Sequence, residues 1–392
     1  MNNPKPKVSK NVIVLGLVSF FNDFASEMIY PIIPLFLTGV LGAPVSIVGL
    51  VEGIAESTAS LLKAVSGWYS DRIRRRKEFA VFGYTFSTFA KLMMALAQTW
   101  PIVLFARFID RFGKGIRTSA RDALIAESST AENRGFSFGL HRAMDTAGAV
   151  IGPLSAMWLL ILFNNDIRKI FFFSFFPGFA GVLLLLLFVR EAKKDNAGKQ
   201  AVKIAWRELD PSFKIFLLVT VVFSLGNSSD AFLILRAKGL GLSIFYTIFA
   251  YVVFNLSYSL FSLPAGMISD RVGPRKVLFI GFLVFSAIYM MFGLVNNGAF
   301  VWILFPLYGV YMAMTEGVGK AYIANLVPQE RSATAFGVYQ TAVGIATFFA
   351  SLIAGLLWTH VSVRAPFVFG GAMALLSAVL FAGLHGKMAR RP

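Results

Sequence analysis

Twelve stretches of about twenty predominantly apolar residues constrain this chain more than any other feature, because a segment of that length is what an α-helix needs to cross a hydrocarbon core of about 30 Å. They fall at 11–38, 46–69, 78–98, 101–125, 136–163 and 168–189, then, beyond the polar stretch Arg190 to Asp210, at 212–235, 243–268, 277–295, 300–326, 332–358 and 366–385. Only 15% of the 392 residues are charged and 57% are hydrophobic, whereas soluble domains carry roughly 25% charged residues. That balance excludes an ordinary soluble fold. The expectation is an all-α membrane protein of twelve transmembrane helices in two six-helix halves, with residues 1–190 as the N-terminal half, 191–211 as a central loop and 212–392 as the C-terminal half.

The charges set the orientation. A formal net charge of +17 would suggest nucleic acid in a soluble chain, but here the basic residues sit between the apolar runs and, at a few places, inside them. Loops on one side hold Arg72, Arg74, Arg75, Arg76, Lys77, Arg190, Lys193, Lys194, Lys199, Lys203, Arg271, Arg275 and Lys276, while the opposite loops around Gly42, Trp100 and Asn297 hold none. By the positive-inside rule the basic side is the cytoplasm, which puts both termini there and the chain in an inner (plasma) membrane of bacterial type. The run after the polar, basic start Met1 to Lys10 is too long for a signal peptide and reads as a retained first span.

The halves repeat. Gly67, Asp71 and Arg72 recur as Gly266, Asp270 and Arg271, each displaced by the same 199 positions (266 − 67, 270 − 71, 271 − 72), and Arg121 and Lys320 share the offset. Parallel six-helix repeats place a binding site at their interface near the midplane, the geometry of a carrier that exposes one site alternately to each side.

After span 2 the chain reads Gly67-Trp-Tyr-Ser-Asp71-Arg72-Ile-Arg74-Arg75-Arg76, and after span 8 Gly266-Met-Ile-Ser-Asp270-Arg271-Val-Gly273-Pro-Arg275-Lys276. These segments resemble the G-x-x-x-D-R-x-G-R-[KR] loop signature of the major facilitator superfamily, with Pro274 inserted in the second copy and Arg74 in place of the second glycine in the first. The resemblance implies a conformational latch of Gly67, Asp71, Arg72, Arg75, Gly266, Asp270, Arg271, Gly273 and Arg275. Physically, the glycine lets helix ends approach, the aspartate can accept hydrogen bonds from a neighbouring helix N-terminus and the arginines anchor the cytoplasmic face. Span 5 carries Gly139, Gly148 and Gly152-Pro153, similar to the family's antiporter signature, although Ala156 and Met157 stand where that signature ends in a glycine pair. Gly148 and Gly152 form a small-residue face for close helix packing, and Pro153 bends the helix.

In span 4, Arg111-Phe-Gly-Lys-Gly115 is similar to the family's R-x-x-x-G element, whose arginine the resemblance associates with proton coupling. Arg107, Asp110, Arg111, Lys114, Arg117, Arg121 and Asp122 recur there at three- and four-residue steps, so most share one helical face. A rise of about 1.5 Å per residue puts Arg111 about 15 Å deep, where an unpaired charge costs about 3 kcal/mol or more. Such a face cannot meet lipid. Partners are available on other spans as Asp23, Glu27, Glu52, Glu56 and Asp145, and a polar stripe of Ser19, Asn22, Asp23, Ser26, Glu27 and Tyr30 runs along span 1, whose outer end Pro31 and Pro34 should bend. His141 and Asp145 are spaced to form an i, i+4 hydrogen bond, read here as structural.

The C-terminal half is plainer, with Asp230, Arg236, Glu316 and Lys320 as its main intramembrane or near-membrane charges, Asn227 and Asn255 as neutral polar groups, and Phe223, Tyr251, Phe254, Tyr258, Tyr308 and Tyr311 as a candidate substrate wall. The chain lacks cysteine, a P-loop, a dinucleotide fingerprint and paired histidines, so no cofactor, metal, nucleotide or enzymatic constellation is expected. The resemblance implies secondary transport, with proton-coupled efflux of a small organic compound in the manner of drug–proton antiporters. Proton-coupling candidates are Asp23, Glu27, Glu56, Arg111 and Asp145. Substrate-cavity candidates are Asn22, Glu52, Arg107, Lys114, Asn227, Asp230, Tyr251, Asn255, Tyr308 and Glu316. The alternatives are an organic-anion transporter that uses the basic face of span 4, and a non-transporting receptor or scaffold. The expected partners are a small-molecule substrate, protons and the lipid bilayer, with no nucleic acid, and one chain suffices as a functional monomer.

Overall fold

A computed structural model describes residues 9–73, 75–130, 133–191, 210–328 and 332–384, leaving aside the side chains at 64–65, 67–73, 135 and 332–334. Among the described residues every regular element is helical. The first six spans are α1 (Lys10–Ile29, continued by tight and wide turns to Val40), α2 (Val45–Ile73), α3 (Arg76–Ala95), α4 (Trp100–Glu127), α5 (Arg134–Leu162) and α6 (Ile167–Phe188). The seventh is split into α7 (Pro211–Gly226) and α8 (Ala231–Gly239), and α9 (Ile244–Val272), α10 (Pro274–Leu294), α11 (Val301–Leu326), α12 (Ser332–His360) and α13 (Ala365–Gly383) complete the set.

Ten of these spans are long and apolar enough to cross a bilayer by themselves. The other two are α3 and α4, and the reason is chemical: they carry Lys91, Arg107, Asp110, Arg111 and Arg117, all buried in the protein rather than turned to lipid. Intramembrane charge is tolerated in that setting because the paired groups face one another.

The described chain divides into two compact units, Met1–Leu41 with Thr58–Gly198, and Gly42–Ser57 with Lys199–Pro392. In the first, α1 packs along α5 and α6, and α3 along α4 and α6. An apolar cluster of Val12, Leu15, Val18, Tyr84, Leu124, Ile125 and Leu185 closes one end of it. The α1–α5 seam depends on glycine: a Cβ at Gly152 would stand 2.7 Å from the Phe24 carbonyl oxygen and 2.8 Å from the Met28 nitrogen, and one at Gly148 would collide with the Phe20 carbonyl. In the second unit α9 packs on α11 and α10 on α13. The Val45–Ser57 stretch of α2 belongs to this unit, where Gly53 approaches the Phe348 carbonyl and the Ser46 amide donates to Thr359 Oγ1 at 3.0 Å.

Two departures from the sequence reading matter. The seventh span is not one helix over 212–235. It unwinds at Asn227-Ser228-Ser229-Asp230, four short polar residues whose side chains compete for backbone groups. Ser229 Oγ accepts from the Ala231 amide at 3.3 Å and starts α8 afresh. The 199-residue displacement relates Asp230 to Pro31, so the first helix of each half departs from regular α-helix at the same position of the sequence repeat. At the second latch copy, Gly273 takes φ of 91° and separates α9 from α10, which accounts for that glycine. Gly266 does not bring helix ends together as expected: nothing lies within 4 Å of where its Cβ would be, because it faces a cavity of about 160 Å³ between α9 and α11.

Candidate functional site

In the first unit the charges converge on Asp110 of α4. Lys91 of α3, fully buried, places Nζ 3.8 Å from Asp110 Oδ1 and donates to the Ser87 carbonyl at 2.9 Å. Arg107 lies 3.7 Å from Asp110 Oδ2, with its guanidinium 5.7 Å from the Tyr30 ring centre. Arg111, 7% exposed, adds its charge to the same carboxylate's surroundings, and Arg117 hydrogen-bonds Ser87 Oγ while stacking 4.7 Å from the Tyr84 ring. Ser87 Oγ in turn donates to the Asp110 carbonyl at 2.9 Å. Lys91 is absent from the sequence-derived candidates, though a lysine in mid-span was the signal available.

A second cluster lines the α1–α5 seam. These helices run parallel in register, since Gly16 meets Met144, Gly148 meets Phe20 and Phe24, and Gly152 meets Phe24 and Met28. Ser19 and His141 hydrogen-bond at 2.8 Å across 122 positions, and one turn further along each helix, at the same separation (145 − 23), the Asp23 carboxyl comes within the field of that of Asp145. Asn22 Nδ2 donates to Asp23 Oδ1 at 3.2 Å and Arg142 to Asp145 Oδ2 at 3.3 Å, and Lys114 and Arg117 act on Asp23 from α4. His141 therefore does not bond Asp145, as its spacing suggested. Its imidazole turns to α1, and Arg142, three residues before Asp145, takes the carboxylate instead. Ser19 Oγ also meets the Tyr84 hydroxyl at 3.3 Å and Arg121 at 3.2 Å. Glu27 lies on the same helix, partly buried.

In the second unit the polar groups collect at the break in the seventh span. Tyr308 donates to Asp230 Oδ1 at 2.8 Å, Asn227 Nδ2 donates to the Tyr311 hydroxyl at 3.1 Å, and the Ser229 amide donates to Ser351 Oγ at 3.2 Å. Glu52, 1% exposed on the α2 stretch that belongs here, accepts from Ser229 Oγ at 3.4 Å, and Glu56 lies one turn further along that stretch. Around these groups the rings of Tyr251, Phe254, Tyr308, Tyr311, Phe285 and Tyr289 stand 4.0 to 6.3 Å apart in a continuous chain, and the Tyr289 hydroxyl is buried without a well-formed hydrogen bond. Asn255 is spent on its own helix, donating to the Tyr251 carbonyl at 3.1 Å. Glu316 sits apart from this group, bonded to Tyr258 and 3.6 Å from Lys320 near the end of α11.

Of the latch residues, the side chains of Gly67, Asp71 and Arg72 lie outside the described set, as does Arg74 altogether. Arg75 pairs with Glu78 at 3.4 Å, Asp270 and Arg271 are exposed, and Arg275 donates to the Phe381 carbonyl at 2.8 Å with its guanidinium 5.3 Å from that ring, tying α10 to α13. Gly139 has open space about its Cα, unlike Gly148 and Gly152. Among the described residues no three His, Asp or Glu side chains converge as metal ligands would.

Comparison with known proteins agrees with this architecture. The Major Facilitator Superfamily profile matches residues 15–235 and 215–391, covering nearly the whole chain. An uncharacterized MFS-type transporter of Methanocaldococcus jannaschii is 36% identical over 385 residues, covering 97% of this chain and 96% of the relative. The multidrug resistance protein MdtG of Enterobacter lignolyticus is 24% identical over 302 residues, covering 72% and 69%. Among solved structures, a mutant form of the nucleoside transporter NupG superimposes with a TM-score of 0.79 at 14% identity over 96% of this chain and 100% of that one. A D-xylose-proton symporter gives 0.74 at 16% identity, over 94% and 96%. With twelve spans, a duplicated loop signature and these relatives, the chain belongs to the major facilitator superfamily and is a secondary transporter rather than an enzyme.

Proposed function

We propose that this transporter exports a small organic compound in exchange for protons, and that Asp23 and Asp145 together carry the proton. The observation behind this reading is the placement of the two carboxyls on α1 and α5 one turn beyond the Ser19–His141 hydrogen bond, where the helices are held together by Gly148 and Gly152. Two carboxylates brought together in a membrane span repel unless one of them takes up a proton, so on this reading the pair holds one proton whose occupancy follows the surrounding charge. Lys114 and Arg117 act on it from α4, and the buried Arg107, Arg111 and Lys91 behind them supply cations that can approach or withdraw as the helices shift. Substrate would bind against the broken seventh span, where Asp230, Tyr308, Asn227, Tyr311 and Tyr251 combine one carboxylate with hydroxyls, an amide and ring faces. The name of the MdtG relative, a multidrug resistance protein, supports efflux.

On this reading residues 1–190 and 212–392 are the two rocking halves, the pathway lies within one chain that works as a monomer, and both termini face the cytoplasm across an inner membrane. A second reading is favoured by one observation: the α3–α4 seam buries four cations, Lys91, Arg107, Arg111 and Arg117, a concentration of positive charge that suits an organic anion. One experiment separates the two. The protein is reconstituted in proteoliposomes with an internal pH dye and an imposed gradient, then challenged with ethidium, tetraphenylphosphonium, chloramphenicol and benzoate, beside Asp23→Asn, Asp145→Asn and Arg111→Ala variants. Proton movement driven by the cationic or neutral compounds, and lost in the two Asn variants, supports the exchange reading. Flux elicited by benzoate alone, or labelled benzoate exchange with no proton movement, overturns it in favour of anion transport.

A further inference from the structure

We propose that the groove between α9, α10 and α11 holds one anionic phospholipid, with an acyl chain laid along the groove and the phosphate on Lys276.

The groove has a volume of about 410 Å³. Phe261, Ala265, Ile268 and Val272 of α9 line it at three- and four-residue steps, so they share one face of that helix, and Ile280 of α10 and Met314 of α11 close its sides. Phe261, Ile268, Val272 and Ile280 are each about half exposed, which opens the groove to the outside of the second unit. An exposed apolar residue is ordinary on a lipid-facing surface, but a concave one must be filled, and no neighbouring side chain fills this one. Pro264 and Ala265, in the middle of the α9 wall, are too short to do so.

Its length suits a lipid chain. From Phe261 to Val272 is eleven residues (272 − 261), which at about 1.5 Å each is about 16 Å. That is about half of a hydrocarbon core of about 30 Å, the depth that one acyl chain spans. The groove therefore runs from the end of α9 to about mid-membrane.

The charge at its mouth selects the headgroup. Lys276 is the one charged residue lining the groove among the described residues, and it stands exposed in the first turn of α10. That helix start has no acidic residue and no side-chain cap, so the ammonium and the partial positive charge of the helix N-terminus reinforce each other. Among the described residues the Lys276 ammonium has neither an ion pair nor a hydrogen bond. Of the other charges on this turn, Arg275 is spent on the Phe381 carbonyl, Asp270 lines the separate cavity beside Gly266, and Arg271 is exposed next to it.

The first half of the repeat shows what a satisfied version looks like. At the 199-residue displacement Lys276 corresponds to Lys77 and Val277 to Glu78. Lys77 donates to the Leu186 carbonyl at 2.9 Å, and Glu78 supplies an acidic group to the first turn of α3. The second half has neither arrangement. A phosphate at the mouth would answer both the lysine and the helix start, and basic pockets between helices on the positively charged side of a membrane protein are suited to anionic headgroups.

The test uses the full chain, purified and delipidated in detergent, then titrated with phosphatidylglycerol or phosphatidylcholine of the same acyl chains, with bound lipids counted by native mass spectrometry. The expected result is one phosphatidylglycerol held about fivefold or more tightly than phosphatidylcholine. Lys276→Gln should bring phosphatidylglycerol down to the phosphatidylcholine level, while Lys276→Arg keeps the preference. Ile280→Trp, a change at a half-exposed position that fills the groove, should lose the bound lipid in protein that elutes and unfolds as the unaltered one does. Lys238→Gln, at an exposed lysine where α8 ends and at the opposite end of α9, should change nothing. Inorganic phosphate at the same concentration should leave the lipid in place. Equal retention of the two lipids by the unaltered protein overturns the proposal, as does a preference that survives Lys276→Gln or falls equally in Lys238→Gln. Lipid retained in Ile280→Trp, or displaced by inorganic phosphate, overturns the groove as its seat.

Discussion

Replacing Asp110 by Asn should destabilise the first unit far more than replacing its partner Lys91 by Met, although each change breaks the same 3.8 Å ion pair. At an effective dielectric of about 20, two unit charges at that distance attract by about 4 kcal/mol, which roughly offsets the cost of removing both from water. The pair as a whole is therefore worth little, and the consequence of breaking it depends on what stays behind. Without Lys91, Asp110 still faces Arg107 at 3.7 Å and lies in the field of Arg111, so Lys91→Met should cost about 1 kcal/mol or less. Without the Asp110 charge, the fully buried Lys91 loses the carboxylate it faces, and the cost should reach about 3–5 kcal/mol, the range for stranding a buried charge. The double variant, Lys91→Met with Asp110→Asn, removes one stranded cation and should be more stable than Asp110→Asn alone. Thermal unfolding of purified protein in detergent, followed by intrinsic tryptophan fluorescence, reads all three against the unaltered chain. Equal losses for the two single variants, or a double variant less stable than Asp110→Asn, would refute the reasoning.

Three further outcomes follow from the geometry. Gly152→Leu forces a side chain where even a Cβ would lie 2.7 Å from the Phe24 carbonyl, so the α1–α5 seam must open, with transport falling at least tenfold in a liposome uptake assay while Gly139→Leu is tolerated at its open position. Gly273→Ala asks an L-residue to hold φ of 91° and should lower stability by about 1 kcal/mol or more, measured by the same thermal scan. Tyr308→Phe removes the donor to Asp230 at 2.8 Å and should weaken binding of a transported cation about tenfold by equilibrium dialysis, whereas Asn255→Ala, at a side chain spent on its own helix, should change it little.

Span positions were legible because hydropathy and length depend on the bilayer, not on neighbours, and each expected span overlaps its helix with ends within about four residues wherever the helix is unbroken. The face of charges along span 4 was legible for a similar reason, since the 3.6-residue period places them without any knowledge of what they meet. The break in the seventh span was harder to see. Asn227 to Asp230 are compatible with a membrane helix when flanked by apolar residues, and what unwinds them is the set of partners supplied from elsewhere: Tyr308, Tyr311 and Ser351. Once those accept or donate, the backbone gives up helical bonds there at little cost.

The same distinction separates His141 from its expected partner. Spacing alone put Asp145 within reach, but spacing says nothing of Ser19, 122 positions away, or of Arg142 taking the carboxylate first. Lys91 escaped for the opposite reason, being alone in its span until α4 brings Asp110 against it. What the sequence by itself determined was everything that depends on period, length and charge sign along one helix: the spans, the repeat, the charged face and the membrane class. Tertiary structure decided which charge meets which across helices, because a buried ionisable group is held by whatever stands within about 4 Å of it, and Lys91 for Asp110 or Ser19 for His141 is brought there from another helix, by seams whose closeness only the packed unit reveals.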